Sequence, residues 1–150
     1  MATRSGLETL YKLRLSEERQ QELLLQELNR RVRSLQQRIS EIEVQLRENM
    51  NRVREKLAGV LRASELHFDE LCRSTLAAHG RALGAKLAAE VVDRDLQMQR
   101  LLQARQAREM VETLLRHQRD ATYREQLRRE QQSVDEMFLL RTMYLSHGPP

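Results

Sequence analysis

Apolar residues recur at alternating steps of three and four along the first third of the chain. Leu25, Leu28, Val32, Leu35, Ile39, Ile42, Leu46, Met50, Val53, Leu57 and Val60 are separated by 3, 4, 3, 4, 3, 4, 4, 3, 4 and 3 residues. A mean step close to the ~3.5 of a heptad keeps the stripe on one face only if two helices wrap left-handedly around each other. Ile39, Ile42 and Leu46 are the expected core of that seam. The consecutive steps of four at Ile42–Leu46–Met50 predict a stutter, where the supercoil locally unwinds. Upstream, Leu7, Leu10, Leu13 and Leu15 continue the apolar face less regularly, and Thr3 or Ser5 is the expected helix cap.

Glycine and the charged residues around it predict where this helix stops. Arg54 and Lys56 fall in a last turn, Gly59 follows, and Ser64-Glu65 opens a segment with Asp69 and Glu70 early in it. Basic residues suit a helix C-terminus, and a Ser followed by acids suits an N-terminus. Gly80 and Gly84 offer a second place to turn, but no Ser, Thr, Asp or Asn lies between them to start a new helix. They are read as interior glycines, each costing about 1 kcal/mol relative to Ala. The expected fold is all-α: two long helices in an antiparallel coiled-coil hairpin. Helix one covers about 5–58, the turn about 58–63 and helix two about 64–145.

Helix two opens apolar, with Leu66, Phe68, Leu71, Leu76, Leu83, Leu87 and Val91, and its middle is dominated by Arg, Glu and Gln. A face returns at Leu127, Val134, Phe138 and Leu145. A turn near residue 61 pairs Met1 with about residue 121, so the last turns of helix two are expected to extend past their partner. Met137-Phe138-Leu139-Leu140 and Met143-Tyr144-Leu145 place a broad apolar cluster on that end. Either the first helix or a second copy of the chain covers this cluster, or it anchors a partner, since exposed apolar patches usually mark contact sites. Phe68 and Leu71, beside the turn, are expected either to close the hairpin tip or to meet a partner.

Composition agrees with long helices. The 150 residues contain no Trp, 3% aromatics and 32% charged residues, and the two prolines are Pro149 and Pro150. Nothing before them forbids a helix by ring sterics. The formal charge of +4 is spread among acids and bases that interleave, with Glu four residues before Arg at 27/31, 43/47, 48/52, 90/94, 112/116 and 125/129. That order stabilises a helix by roughly 0.2–0.5 kcal/mol per pair. A nucleic-acid binder instead gathers unpartnered bases on one surface, so no nucleic-acid partner is expected. Asn29-Arg30-Arg31-Val32-Arg33 resembles a zipper basic region, but Glu22, Glu27 and Glu41 flank it.

Candidates for chemistry are few. His67, His79, His117 and His147 show no zinc-binding spacing. Cys72 and His79 lie seven apart on one helix face with no third orienting group, and adjacent acids such as Asp69-Glu70 point to different faces. No catalytic residue, cofactor or metal ligand is expected, and the chain is read as a non-enzyme. A lone cysteine suits a reducing compartment. The opening Met1-Ala2-Thr3-Arg4-Ser5-Gly6 lacks a signal-peptide core. No stretch approaches the ~20 apolar residues of a membrane span. A cytoplasmic protein, peripheral to the membrane at most, is the expectation.

Two stretches resemble a known family. Leu7-x-x-Leu10-x-x-Leu13-Arg14 with Glu17-Glu18 resembles the opening of the FliJ family of the bacterial flagellar type III export apparatus. Glu130-Gln131-Gln132-Ser133-Val134-Asp135-Glu136 resembles its C-terminal E-Q-x-x-x-D-E signature, and Gly59 with Ser64-Glu65-Leu66, Phe68 and Leu71 is similar to its mid-chain segment. Family members often place an aromatic shortly before the first Leu, where this chain has Ser5-Gly6. Many continue past the signature with small or polar residues, where this chain has Met137-Phe138.

The resemblance implies a stalk: a coiled coil in the hole of a hexameric export ATPase, linked to the cytoplasmic domain of the export-gate membrane protein and to export chaperones at the inner face of the membrane. The injectisome stalk proteins share the architecture. By the resemblance, the ATPase would grip Glu130, Gln131, Asp135, Glu136 and Phe138 together with the N-terminal turns at Leu7, Tyr11 and Arg14. Asp135 and Glu136 also stand near a predicted helix C-terminus, where the macrodipole favours cations, and so point to a basic partner. The alternative from a different class is a homodimeric scaffold or tether that pairs two chains through the first-helix heptads; the stalk reading expects a monomeric hairpin.

Overall fold

The computed structural model describes residues 4–59 and 62–147. It consists of two helices, α1 (Arg4–Leu57) and α2 (Ala63–His147), packed as an antiparallel coiled-coil hairpin. Gly80 and Gly84 lie inside α2. The expected caps at Thr3 and the stripe residue Val60 lie outside the described residues. At the start of α2 the carbonyl of Arg62 accepts from the Glu65 and Leu66 amides at 3.1 and 3.3 Å. Arg62 is therefore the capping position, and Ser64, the expected cap, is already within the helix. At the end of α1 the Gly59 amide donates to the Lys56 carbonyl at 3.1 Å, a tightened last turn that satisfies one of the carbonyls a helix end leaves open.

The helices divide into two compact units, residues 18–103 and residues 1–17 with 104–150. In the first, Leu25, Val32 and Ile42 of α1 and Leu83 and Leu101 of α2 are buried. Leu28, Leu35, Ile39, Leu46 and Val53 are half-buried between them. The expected stutter is absent. Asn49 is 2% exposed whereas Met50 is 49% exposed, and Lys56, not Leu57, faces α2. The seam therefore keeps unbroken steps of three and four through Ile42, Leu46, Asn49, Val53 and Lys56. Geometry overrides hydrophobicity here: leaving the heptad for Met50 and Leu57 would require unwinding the supercoil, and polar partners on α2 make Asn49 and Lys56 acceptable instead. The Asn49 side-chain amide donates to the Asp69 carbonyl at 3.4 Å, and Lys56 Nζ reaches the buried Asp69 carboxylate at 2.9 Å. Further along, the buried Gln97 donates to the carbonyl and side-chain oxygens of Gln21 at 3.0 and 2.7 Å. Buried polar side chains need such partners, and within a coiled coil they fix register.

Gly80 faces Ile42 so closely that a Cβ there would stand 3.4 Å from Ile42 Cγ2, whereas a Cβ at Gly84 would meet nothing within 4 Å. Gly84→Ala is thus expected to raise stability by about 1 kcal/mol through helix propensity alone. Gly80→Ala is expected to gain less, because Ile42 must accommodate the methyl group. Chemical denaturation of the two variants measures the difference.

In the second unit Val111 and Leu115 are buried, and Leu7, Leu10, Tyr11, Arg14 and Leu15 of α1 are half-buried. Leu13, expected in the apolar face, is 53% exposed. The positions that continue a heptad through this end are Leu7, Tyr11 and Arg14, two of them not aliphatic, which is why an aliphatic count missed them.

Candidate partner-binding surfaces

In the second unit, α2 loses all cover after Glu125. Every described residue from 126 to 147 is exposed. Met137, Phe138, Leu140 and Leu145 are 66–69% exposed, and Leu139, Met143 and Tyr144 are 56–66% exposed. Seven large apolar side chains within nine residues of an otherwise Arg-, Glu- and Gln-rich helix form a patch that water solvates poorly. Glu130, Gln131, Asp135 and Glu136 share this stretch. Gln131 Nε2 donates to Asp135 Oδ1 at 3.0 Å and Gln132 Nε2 to Glu136 Oε1 at 3.4 Å. The two acids therefore have ready acceptor roles on their own helix. They also stand more than two turns from its end at His147, beyond the reach of the macrodipole. The macrodipole therefore gives these two acids no need of a basic partner.

Leu7, Tyr11 and Arg14 are not brought together with that end. Tyr11 lines a groove with Glu8, Lys12, Glu112, Leu115, Arg116 and Arg119, and Arg14 Nη1 binds Glu17 Oε2 at 3.0 Å. The eleven helical steps from Arg119 to Glu130 amount to roughly 16 Å. The N-terminal residues are half-buried against α2, and the C-terminal residues are wholly exposed.

In the first unit, Phe68 and Leu71 are 65% and 53% exposed, so neither closes the tip. Leu71 lines an open groove with Cys72, Thr75 and Leu76 of α2 and Gln45, Glu48 and Arg52 of α1. This groove was missed in the sequence. Its signal is the i, i+4 pair Leu71–Thr75 facing the polar i, i+3, i+7 set Gln45, Glu48 and Arg52, which no apolar stripe advertises. Cys72 is half-buried there and His79 is exposed. Among the described residues no three His, Cys, Asp or Glu side chains cluster as metal ligands, and no helix is long and apolar enough to cross a membrane.

Two E-x-x-R-R clusters set the local electrostatics. Glu27 holds Arg30 at 2.7 Å and Arg31 at 3.3 Å, and Glu125 holds Arg128 at 2.8 Å and Arg129 at 3.2 Å. Hydrogen bonds from Arg30 and Arg128 pull the two carboxyls down to about 2. Of the other expected pairs only Glu112–Arg116 approaches, at 3.9 Å. Arg30 and Arg31, the centre of the zipper-like basic stretch, thus share one glutamate. A pKa lowered in the folded helix means that these clusters contribute stability above the ordinary glutamate value of 4.5 and lose it as the pH falls toward about 2. Carboxyl-carbon NMR titration is expected to place both midpoints near 2, and Arg30→Gln to raise that of Glu27.

A family model described as the flagellar FliJ protein matches residues 3–144. No curated protein and no solved structure matches the chain significantly. The match takes in α1, the groove at Leu71, and α2 as far as Tyr144, including the E-Q-x-x-x-D-E stretch. This chain belongs to the flagellar FliJ protein family, the components of the flagellar export apparatus.

Proposed function

We propose that this protein is the non-enzymatic stalk of the flagellar export machinery, in which the end of α2 engages a hexameric export ATPase. The observation that carries the reading is the exposed apolar patch from Met137 to Leu145 on a helix stretch with no intramolecular cover. A stretch that made no contacts would have no reason to keep Phe138, Tyr144 and five aliphatic side chains in water. The half-buried Leu7, Tyr11 and Arg14 contribute their exposed edges to the same partner, and Glu130, Gln131, Asp135 and Glu136 supply polar contacts beside the apolar ones. A stalk meets several equivalent subunits through changing contacts. Interleaved Arg and Glu on solvent-facing helix positions suit that role, because no single orientation is favoured strongly.

The groove at Leu71, with Phe68 nearby, serves the other partners: the export-gate protein's cytoplasmic domain and the export chaperones. The protein works in the cytoplasm, at the inner face of the membrane when bound to the gate. The proposed system is the flagellar one, after the description of the matched family; the stalk protein of an injectisome is the alternative of the same architecture. The tether reading is disfavoured, since the first-helix heptads are occupied by α2 of the same chain.

Point variants separate the two surfaces. Phe138→Asp combined with Tyr144→Asp is expected to weaken ATPase binding by about tenfold or more, as loss of buried aromatic anchors does. Leu71→Asp is expected to leave ATPase binding intact and to weaken binding to the gate domain or a chaperone. Titration calorimetry against each purified partner reads both, and the opposite pattern of losses would exchange the assignments.

A further inference from the structure

The first unit carries a second heptad, on the side of α2 that turns away from α1. Ala78, Ala82, Ala85, Ala89, Val92 and Leu96 are spaced 4, 3, 4, 3 and 4, and all are exposed. Each lies two residues after a seam position such as Leu76, Gly80, Leu83 or Leu87. Two residues rotate the helix by roughly 200°, so most of this face points away from the seam, with Ala89 at its edge bordering a groove shared with Ser34 and Arg38 of α1. The corresponding outward positions of α1 carry charges at Glu27, Arg30, Glu41, Glu48 and Glu55 and admit only isolated apolar residues, Leu23 and Val44. Helix propensity explains alanines, but it does not explain Val92 and Leu96, which are 59% and 48% exposed, nor a spacing that never admits a charge.

We propose that this face is the interface between two copies of the hairpin, paired antiparallel through α2 about a twofold axis near residue 87. Residue sizes favour the antiparallel register. It sets Ala78 opposite Leu96, Ala82 opposite Val92 and Ala85 opposite Ala89, so each larger side chain meets a small one and the helices approach evenly. A parallel pair would set Leu96 on Leu96 and Ala82 on Ala82, wide at one end and empty at the other.

The flanking charges choose the same register. His79, Arg81 and Lys86 border the first half of the stripe, and Asp93 and Asp95 border the second. Antiparallel pairing brings Arg81 to Asp95 and His79 to Asp93 of the other copy, each twice by symmetry. Arg94 Nε lies 3.6 Å from Asp95 on its own helix, a long contact that leaves the carboxylate able to accept from Arg81. Lys86 meets its own copy, the one like-charge approach, on long stems that can part. Parallel pairing would instead set Arg81 against Lys86. The interface is isologous, as twofold dimers require, and it exchanges no helix between hairpins. It therefore differs from the tether built on the α1 heptads and revises the expectation of a monomer.

Sedimentation equilibrium of the full chain, with cysteine cross-linking, tests the proposal. The chain is expected to dimerise reversibly. Ala85→Glu, a solvent-facing change, is expected to weaken self-association by about tenfold or more by burying unpaired charge, with helical circular dichroism unchanged. In a Cys72→Ser background, a chain carrying Ala82→Cys is expected to cross-link to one carrying Val92→Cys, and neither to itself. Within one chain those positions are ~15 Å apart, beyond the ~7 Å Cα limit of a disulfide. A monomer at every concentration overturns the proposal. So does a dimer indifferent to Ala85→Glu, one that dissociates only on removal of residues after Arg129, or an Ala82→Cys chain that cross-links to itself.

Discussion

Ile42→Asp is expected to unfold the residue 18–103 unit at temperatures where the parent is fully helical, and Ile42→Ala to cost about 2–4 kcal/mol. Ile42 is 6% exposed, and its Cγ2 rests against Gly80, which offers no side chain to fill a void. Truncation to Ala thus leaves a gap that can close only if the helices themselves move together. The upper half of the range is expected for that reason. Aspartate adds the cost of desolvating a charge in the seam; among the described residues the seam's own polar partners sit elsewhere, at Asn49, Lys56 and Asp69 and at Gln21 and Gln97. Denaturant melts of the two variants measure the effect. If both melt like the parent, Ile42 is not in the seam.

The same seam shows how far the sequence could be read. From Leu25 to Leu46 apolar residues occupy the heptad positions, and periodicity alone located the interface. It failed at Asn49, where Met50 offered a more hydrophobic neighbour one residue on, and again at Lys56 beside Leu57. The choice at both positions depends on Asp69 of α2, twenty and thirteen residues away in sequence, which no local pattern contains. Tyr11 and Arg14 were singled out for a partner by resemblance; the structure adds that they are half-buried on the α2-facing side. The C-terminal surface was legible by a different route. Locating one turn fixes how many residues of α2 lack a partner, and the apolar residues beyond that point stand out by composition. The groove at Leu71 was not legible, because its α1 wall is Gln45, Glu48 and Arg52, side chains that read as ordinary solvated surface.

Removing the residues after Arg129 is expected to abolish engagement of the export ATPase while leaving the fold intact. Every described residue from 130 to 147 is exposed, so the truncation uncovers no buried apolar surface and breaks no seam contact. The residues lost include the whole apolar patch and Glu130, Gln131, Asp135 and Glu136. The lost side-chain hydrogen bonds are internal to the deleted stretch, apart from the 3.4 Å contact of Arg128 with Gln132. The unfolding free energy is therefore expected within about 0.5 kcal/mol of the parent's, the range of an ordinary surface change.

The stalk assignment stands or falls on the hydrolysis rate of a purified flagellar export ATPase measured with the full chain and with the chain ending at Arg129. The full chain is predicted to bind the hexamer and accelerate hydrolysis, and the shortened chain, still cooperatively folded, to do neither. Equal binding and equal stimulation by the two chains would contradict the account and move the ATPase contact away from the end of α2.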